Sequence, residues 1–145
     1  MLTVTVRIPF EAAHRLPAHE GRCRFLHGHS FMAVLTLTAA RTNDMGMLVD
    51  FGVVKDKVGG WIRDNWDHNC ILHPLDPLME LSEIDKEMVF AGKRPFLLPY
   101  VPPTAENLAL FLHNVAANDL AGLGVMVIKT EVWETPQCGA SYSGG

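Results

Sequence analysis

Residues 2–14 read Leu-Thr-Val-Thr-Val-Arg-Ile-Pro-Phe-Glu-Ala-Ala-His, and this run sets the architecture of the chain. Apolar residues occupy the even positions through residue 12, which is the signature of a strand with one buried face. His14 continues the even positions, so it should point inward at the end of that strand. A second β-rich run, at 30–41, ends at the turn signal of residues 43–46 and should pair with the first.

Helices and a last strand are predicted further along the chain. Apolar residues recur at helical spacing over 52–66, and Thr104 resembles the N-cap of a second helix. An alternating run over 125–135 predicts the final strand, whereas the proline-rich segment 72–102 predicts a long excursion with room for one short helix. This order predicts a single α+β domain over residues 1–145, with an antiparallel sheet.

The composition narrows the class of function. The 145 residues carry a formal net charge of −4, and 48% of them are hydrophobic. Such a chain can bury a core but has no basic field for nucleic acid or anionic lipid. Its apolar stretches fall short of the ~20 residues that cross a bilayer, and a strand pattern follows Met1 directly, so we expect a cytoplasmic protein without membrane partners. The three cysteines form no CxxC pair, which argues against a disulfide framework.

Three histidines predict a metal site. In the HxH pair His27-Gly28-His29, both imidazoles project to one face of an extended chain, about 6–7 Å apart. With His14, the pair favours a zinc site that has an open fourth position, as catalytic zinc sites do. Iron(II), nickel and copper(II) also accept imidazole, and zinc is preferred for its redox neutrality and the absence of a carboxylate. Alternatively, the pair arises by chance in a loop and His14 is a core histidine.

Cys23 and the pair Asp67-His68 are candidates for proton transfer. Cys23 lies four residues before His27 and between two arginines, and nearby cations or a metal would favour its thiolate. It is either a base beside an open zinc site or a fourth ligand that closes the site. An imidazole beside a carboxylate suits proton transfer near neutral pH, although a solvated loop is the simpler interpretation of Asp67-His68.

Glu134 is the most informative carboxylate. It shares the strand parity of Met126, Ile128, Thr130 and Val132, so it should face the apolar side of the last strand. A buried carboxylate needs a partner, and two hydrogen bonds from a guanidine-like heterocycle would provide one. The alternative is that the strand has left the core before Glu134. His19, His73 and His113 resemble surface residues, and Cys70 and Cys138 resemble inert thiols.

Six short motifs follow one another along the chain: Phe10-x-Ala12-Ala13-His14, Cys23-x3-His27-Gly28-His29, Asp50-Phe51, Asp67-His68, Pro103-Thr104-x-Glu106-Asn107 and Glu134-Thr135. Together they resemble the 6-pyruvoyl tetrahydropterin synthase and 6-carboxytetrahydropterin synthase family. The resemblance runs nearly end to end, and the excursion at 72–102 departs from the shortest members. It implies the tunnelling fold, in which four-stranded antiparallel sheets, each with two helices on one face, form an oligomeric barrel.

The resemblance also implies a role for each candidate residue. His14, His27 and His29 would bind one zinc ion per subunit, with Cys23 as the general base. Asp67 and His68 would form a proton relay, in which Glu134 is often counted. Glu134 would also anchor the pterin, and Thr104 would be a further pterin contact. The family commonly forms trimers stacked into hexamers, with active sites between subunits.

The implied substrate is 7,8-dihydroneopterin triphosphate. The small acidic chain, with its CxxxHGH spacing, looks more like the bacterial queuosine branch, whose 6-carboxytetrahydropterin synthase releases 6-carboxytetrahydropterin, acetaldehyde and triphosphate. The alternative is a 6-pyruvoyl tetrahydropterin synthase, which uses the same residues. A three-histidine zinc hydratase or hydrolase would need neither Cys23 nor Glu134, and a structural metal-binding oligomer would use Cys23 as a fourth ligand.

Overall fold

The structure, a computed structural model, describes residues 1–144 and is built on one mixed sheet. Its strands are β1 (Val4–His14), β2 (His27–Ala39), β3 (Asn69–Leu72), β4 (Phe96–Leu97), β5 (Val125–Thr135) and β6 (Cys138–Ser143). They lie in the order β4-β3-β1-β2-β5-β6. The pairs β1–β2, β2–β5 and β5–β6 are antiparallel, whereas β1–β3 and β3–β4 are parallel.

The sheet corrects the expectation of four antiparallel strands. The three long strands β1, β2 and β5 match the alternating runs of the sequence. Two further strands, β3 and β4, have four and two residues and are too short to show alternation. Because no residue of the sixth strand, β6, is buried, its sequence has no apolar face from which a strand could be predicted. The additional strands make the sheet wider and introduce its parallel part.

Two long helical runs cover one face of the sheet. The first comprises α1 (Phe51–Val54), a π-helical stretch (Lys55–Gly59) and α2 (Gly60–Asn65). It begins where the carboxylate of Asp50 accepts a hydrogen bond from the Gly52 N–H at 2.7 Å. The second, α4 (Ala105–Asp119), begins at Thr104, as the sequence predicts.

The core lies between these helices and the sheet. Phe10 of β1 stacks on Phe31 of β2 with ring centroids 4.9 Å apart, and Trp66 packs against Phe10 at 5.6 Å. All three side chains are almost fully buried. Burial of a large apolar side chain stabilises the fold by about 2 kcal/mol, so this cluster holds the helices firmly on the sheet. The opposite face of β1 exposes Arg7 and Glu11.

The predicted excursion at 72–102 contains regular structure. It has a 3-10 helix (Pro77–Glu80), the short helix α3 (Glu83–Phe90) and β4. No residue of α3 is buried, so the short helix for which the sequence left room in the excursion lies outside the core. Within residues 1–144, no helix is both long and apolar enough to cross a membrane.

Candidate active site

Antiparallel pairing brings the three predicted histidines together. His14 is the last residue of β1 and lies directly opposite His27, the first residue of β2. His29 is two residues further along β2 and so projects to the same face. The possible ligand atoms of the three rings all lie within 4.8 Å of one another. The cluster is therefore a direct result of the register in which β1 and β2 pair.

The atoms of this cluster fit a bound metal ion. The Nδ1 atoms of His14 and His27 hydrogen-bond to the carbonyl oxygens of Pro103 and Phe25, at 2.8 and 2.7 Å. A ring that donates through Nδ1 presents Nε2 as an acceptor, which is the usual arrangement of a metal-binding histidine. Among the described residues, the buried Nε2 atoms of His14 and His29 have no hydrogen-bond partner. A cation would satisfy both.

Burial also favours the form of histidine that binds metal. It lowers the pKa of His14 and His29 below the ordinary value, and the nearby carboxylate of Glu134 opposes this effect only in part. Both imidazoles are therefore neutral over a wider pH range than a free histidine. Because metal binding requires a neutral imidazole, the cluster is prepared for a cation.

Glu134 faces the same point in space as the histidines. Its Oε1 atom lies 3.8 Å from Nε2 of His14, and its Oε2 atom lies 3.9 Å from Nε2 of His29. These distances are too long for hydrogen bonds, so both carboxylate oxygens are free to accept from a ligand. The side chain is 26% exposed. The carboxylate is thus half-buried at the edge of the cluster.

The parity argument for Glu134 is right only near the end of β5. Thr130 and Val132 are fully buried, as predicted. Met126, however, is 53% exposed, whereas its neighbour Val127 is buried. A bulge causes this change, because Thr36 and Leu37 of β2 pair with Lys129 and Val127, which leaves an extra residue in β5.

The backbone of Glu11 holds the Asp67-His68 pair. The two side chains are within hydrogen-bonding distance, with 3.0 Å between His68 Nδ1 and Asp67 Oδ2. Asp67 Oδ1 accepts a hydrogen bond from the Glu11 N–H at 2.8 Å, and the His68 N–H donates to the Glu11 carbonyl. Partial burial acts to raise the pKa of Asp67, but the hydrogen bond from the Glu11 N–H, the contact with the His68 ring and the charge of Lys93 together hold it below its ordinary value. Asp67 is therefore a carboxylate at neutral pH.

A cleft of about 500 Å³ lies beside the Asp67-His68 pair. Its lining residues include His68, Glu11, Lys93 and His29. The cleft is open to solvent and has the dimensions of a small-molecule site. Within residues 1–144, this cavity touches the histidine cluster only at His29.

Cys23 and Thr104 are placed differently. Cys23 lies in a 3-10 helix (Arg22–Arg24) and is half-buried. Among residues 1–144, it belongs neither to the group of possible ligand atoms nor to the lining of the cleft. The hydroxyl of Thr104 accepts a hydrogen bond from the Asn107 N–H at 3.1 Å and so caps α4. Thr104 follows Pro103, whose carbonyl orients His14.

Two groups that contact the Asp67-His68 pair carried no signal in the sequence. The backbone of Glu11 and the side chain of Lys93 reach this pair only through the tertiary fold. His113 is buried rather than exposed, and its Nδ1 lies 3.0 Å from the Thr130 hydroxyl. The helical spacing of Ala109, His113 and Ala116 would have placed it on the core face.

The chain is similar to known proteins over nearly its whole length. Residues 3–145 match the family model described as 6-pyruvoyl tetrahydropterin synthase. The 6-carboxy-5,6,7,8-tetrahydropterin synthase of Rickettsia bellii is 38% identical over 140 residues, which cover 95% of this chain and 97% of that protein. The enzyme of the same name from Rickettsia typhi is 36% identical over 140 residues, again 95% and 97% of the two chains.

Solved structures share the fold. An uncharacterized protein from Wolinella succinogenes has a TM-score of 0.80 and 22% identity, covering 99% of this chain and 98% of the other. The 6-pyruvoyl tetrahydropterin synthase of Caenorhabditis elegans has a TM-score of 0.70 and 21% identity, covering 99% and 96%. At such identities the likeness concerns the fold alone.

Proposed function

Because the chain belongs to the 6-pyruvoyl tetrahydropterin synthase family, we propose that it is a 6-carboxy-5,6,7,8-tetrahydropterin synthase. It would convert 7,8-dihydroneopterin triphosphate and water into 6-carboxytetrahydropterin, acetaldehyde and triphosphate, in the bacterial queuosine pathway and in the cytoplasm. Relatives that carry this name align over 95% of the chain. The observation that carries the proposal is the meeting of three histidines and one carboxylate at a single point.

His14, His27 and His29 would hold one zinc ion per subunit through their Nε2 atoms and leave room for the substrate. Zinc, when bound, supplies Lewis acidity to the oxygens of the substrate side chain. The carbonyls of Pro103 and Phe25 keep the rings of His14 and His27 oriented for this task. The chain thus provides both the ligands and the groups that fix their direction.

Glu134 would anchor the pterin ring. The pterin edge presents an N–H and an NH₂ group side by side, and a carboxylate can accept one hydrogen bond from each. Because both oxygens of Glu134 lie within 4 Å of the ligand nitrogens, an anchored ring would place its side chain near the histidines. Glu134 would thereby set both the orientation and the identity of the bound heterocycle.

Two groups would move protons. The thiolate of Cys23 would remove a proton from the substrate side chain, and His68 would return one to the ring. Asp67 would keep the His68 imidazole in one orientation and stabilise its charged form through the 3.0 Å contact. Pairs of this kind contribute about 100- to 10,000-fold to the rate of proton-transfer reactions.

The assembly would complete the site. Cys23 lies outside the cleft of its own chain, as far as residues 1–144 describe it, so we infer that it meets the relay across a subunit boundary. Trimers stacked into hexamers, with active sites between subunits, would achieve this. The edge strands β4 and β6 are the ends of the sheet within the chain and could extend it into a barrel, as the tunnelling fold requires.

Two other functions would use part of the same site. A 6-pyruvoyl tetrahydropterin synthase would use the same residues, and the description of the family model supports this alternative only loosely. A zinc hydratase or hydrolase would need neither Cys23 nor Glu134, and it would leave the position of Glu134 without a role. Substitution of Cys23 therefore separates the pterin synthases from the hydratase.

The test is the rate of triphosphate release from 7,8-dihydroneopterin triphosphate by the zinc-loaded protein. We expect Cys23→Ala to lose at least about 100-fold in rate, which is the lower range for a missing general base. Cys138→Ala, at an exposed position of β6, is the matched control and should retain the wild-type rate. Full activity of Cys23→Ala would refute the proposed role, and a wild-type protein that binds zinc without turnover would refute the proposed function.

A further inference from the structure

The relay lies in a strained turn. His68 has a backbone φ of 55°, in the left-handed region that residues other than glycine rarely adopt. Such a conformation costs energy and persists only where the surrounding structure holds it. At this turn two consecutive carbonyl groups, of Asp67 and His68, point to the same side and accept hydrogen bonds from Lys93 Nζ at 3.0 and 3.2 Å. A single ammonium group therefore binds both peptides of the relay.

The end of α3 directs Lys93 to this position. Ala91 and Gly92, with φ of 51° and 77°, form two left-handed residues in succession and reverse the chain. The Lys93 N–H then donates to the Phe90 carbonyl at 2.9 Å and closes the turn. A Cβ atom at Gly92 would lie 3.3 Å from Oε1 of Glu87, and its φ suits glycine. The turn therefore restricts the backbone position of Lys93.

The other end of the excursion is bonded to the residue that follows β1. The carboxylate of Asp76 is buried and accepts hydrogen bonds from the Nε of Arg15 at 2.9 and 3.1 Å, and a further one from its terminal nitrogen. Arg15 directly follows the predicted ligand His14. The excursion is therefore fixed at two points, by Asp76 to the end of β1 and by Lys93 to the turn at His68.

We propose that Lys93, delivered by the 72–102 excursion, is a positioning residue for the Asp67–His68 relay. This inference rests on the relay role in the proposed function. The ammonium group fixes the two peptides, and thereby the direction in which the His68 ring enters the cleft. Because the lysine acts through the relay and its Nζ is bound to carbonyls, its loss should reduce the catalytic step and leave substrate binding nearly unchanged.

The first experiment compares the kinetics of Lys93→Met, Lys93→Arg and Lys86→Met. A displacement of about 1 Å can cost up to ~100-fold in rate, so we expect Lys93→Met to lose roughly tenfold in kcat, with KM unchanged within about twofold. Arginine keeps the charge and the donors and should restore part of kcat. Lys86 is a lysine of α3 whose contact is with Glu83, at 3.5 Å, and its substitution should have no effect.

The second experiment repeats Lys93→Met in a His68→Ala background. If the lysine acts through His68, the second substitution should cause no further loss of kcat. A full additional tenfold loss, or a rise in KM as the main effect of Lys93→Met, would overturn the inference by showing that Lys93 binds the substrate itself.

Amide hydrogen exchange separates this inference from the proposed function. The His68 N–H is bonded to the Glu11 carbonyl, and we expect it to exchange at least about tenfold faster in Lys93→Met than in Lys86→Met. An unchanged exchange rate would overturn the inference that Lys93 fixes the turn at His68, whether or not the protein turns over the pterin. A protein without pterin activity that still shows faster exchange would refute the function alone.

Discussion

Replacement of Asp76 by alanine should destabilise the protein more than the removal of an exposed ion pair would. Its side chain is fully buried and faces Arg15, whose side chain is only 18% exposed. It also accepts a hydrogen bond from the Leu78 N–H at 2.8 Å and so caps the 3-10 helix of the excursion. Removal of one partner leaves a poorly solvated guanidinium and an uncapped helix. We expect a loss of about 3 kcal/mol in the free energy of unfolding.

Urea denaturation at equal protein concentration measures this loss, which should correspond to a decrease in Tm of about 6–12 °C for a chain of this size. The control is Lys86→Met, which breaks a pair whose glutamate, Glu83, is 92% exposed, and it should cost less than about 0.5 kcal/mol. The double variant Arg15→Met/Asp76→Leu removes both charges and should recover most of the stability. A loss below about 1 kcal/mol for Asp76→Ala would refute the reasoning.

Three further predictions follow from metal binding, thiol burial and the charge of Asp67. Zinc at about 100 times its dissociation constant should stabilise the fold by about 2.7 kcal/mol, seen as a rise in Tm that is absent in His29→Ala; an equal rise in that variant would contradict the site. Burial raises the pKa of Cys70 to about 11, so iodoacetamide at pH 8 should modify exposed Cys138 well before Cys70, as peptide mass spectrometry would show. The pKa of Asp67 is lowered from its ordinary 3.8, so its contribution to stability is complete above that pH and is lost as the pH falls further; Asp67→Asn should flatten this acid-dependent loss, and an unchanged slope would contradict it.

The long strands could be predicted because each carries one buried face. In β1 the buried and exposed residues alternate as the sequence indicates, and parity alone places His14 on the inner face. The bulge in β5 could not be predicted, because an extra residue in one strand depends on the pairing with its neighbour. The parity argument therefore reached the correct result for Glu134 but failed for Met126.

The candidate site could be predicted in part. The HxH pair and His14 meet because β1 and β2 are antiparallel neighbours. Alternation along each strand then directs the three side chains to one face. The role of Asp67 and His68 as a proton relay is implied only by the family resemblance, since no spacing relates them to the histidines. Lys93 had no signal at all, because its contact with His68 spans 25 residues and depends on the turn after α3.

Identification of the reaction products tests the central claim most directly. Zinc-loaded protein incubated with 7,8-dihydroneopterin triphosphate should yield 6-carboxytetrahydropterin and acetaldehyde, detected by mass spectrometry, and Glu134→Gln should bind the pterin more weakly because it has lost the anionic acceptor. A 6-pyruvoyl product would contradict the proposed branch and assign the chain to the other activity of the family. The absence of any pterin product, with zinc bound, would contradict the proposed function as a whole.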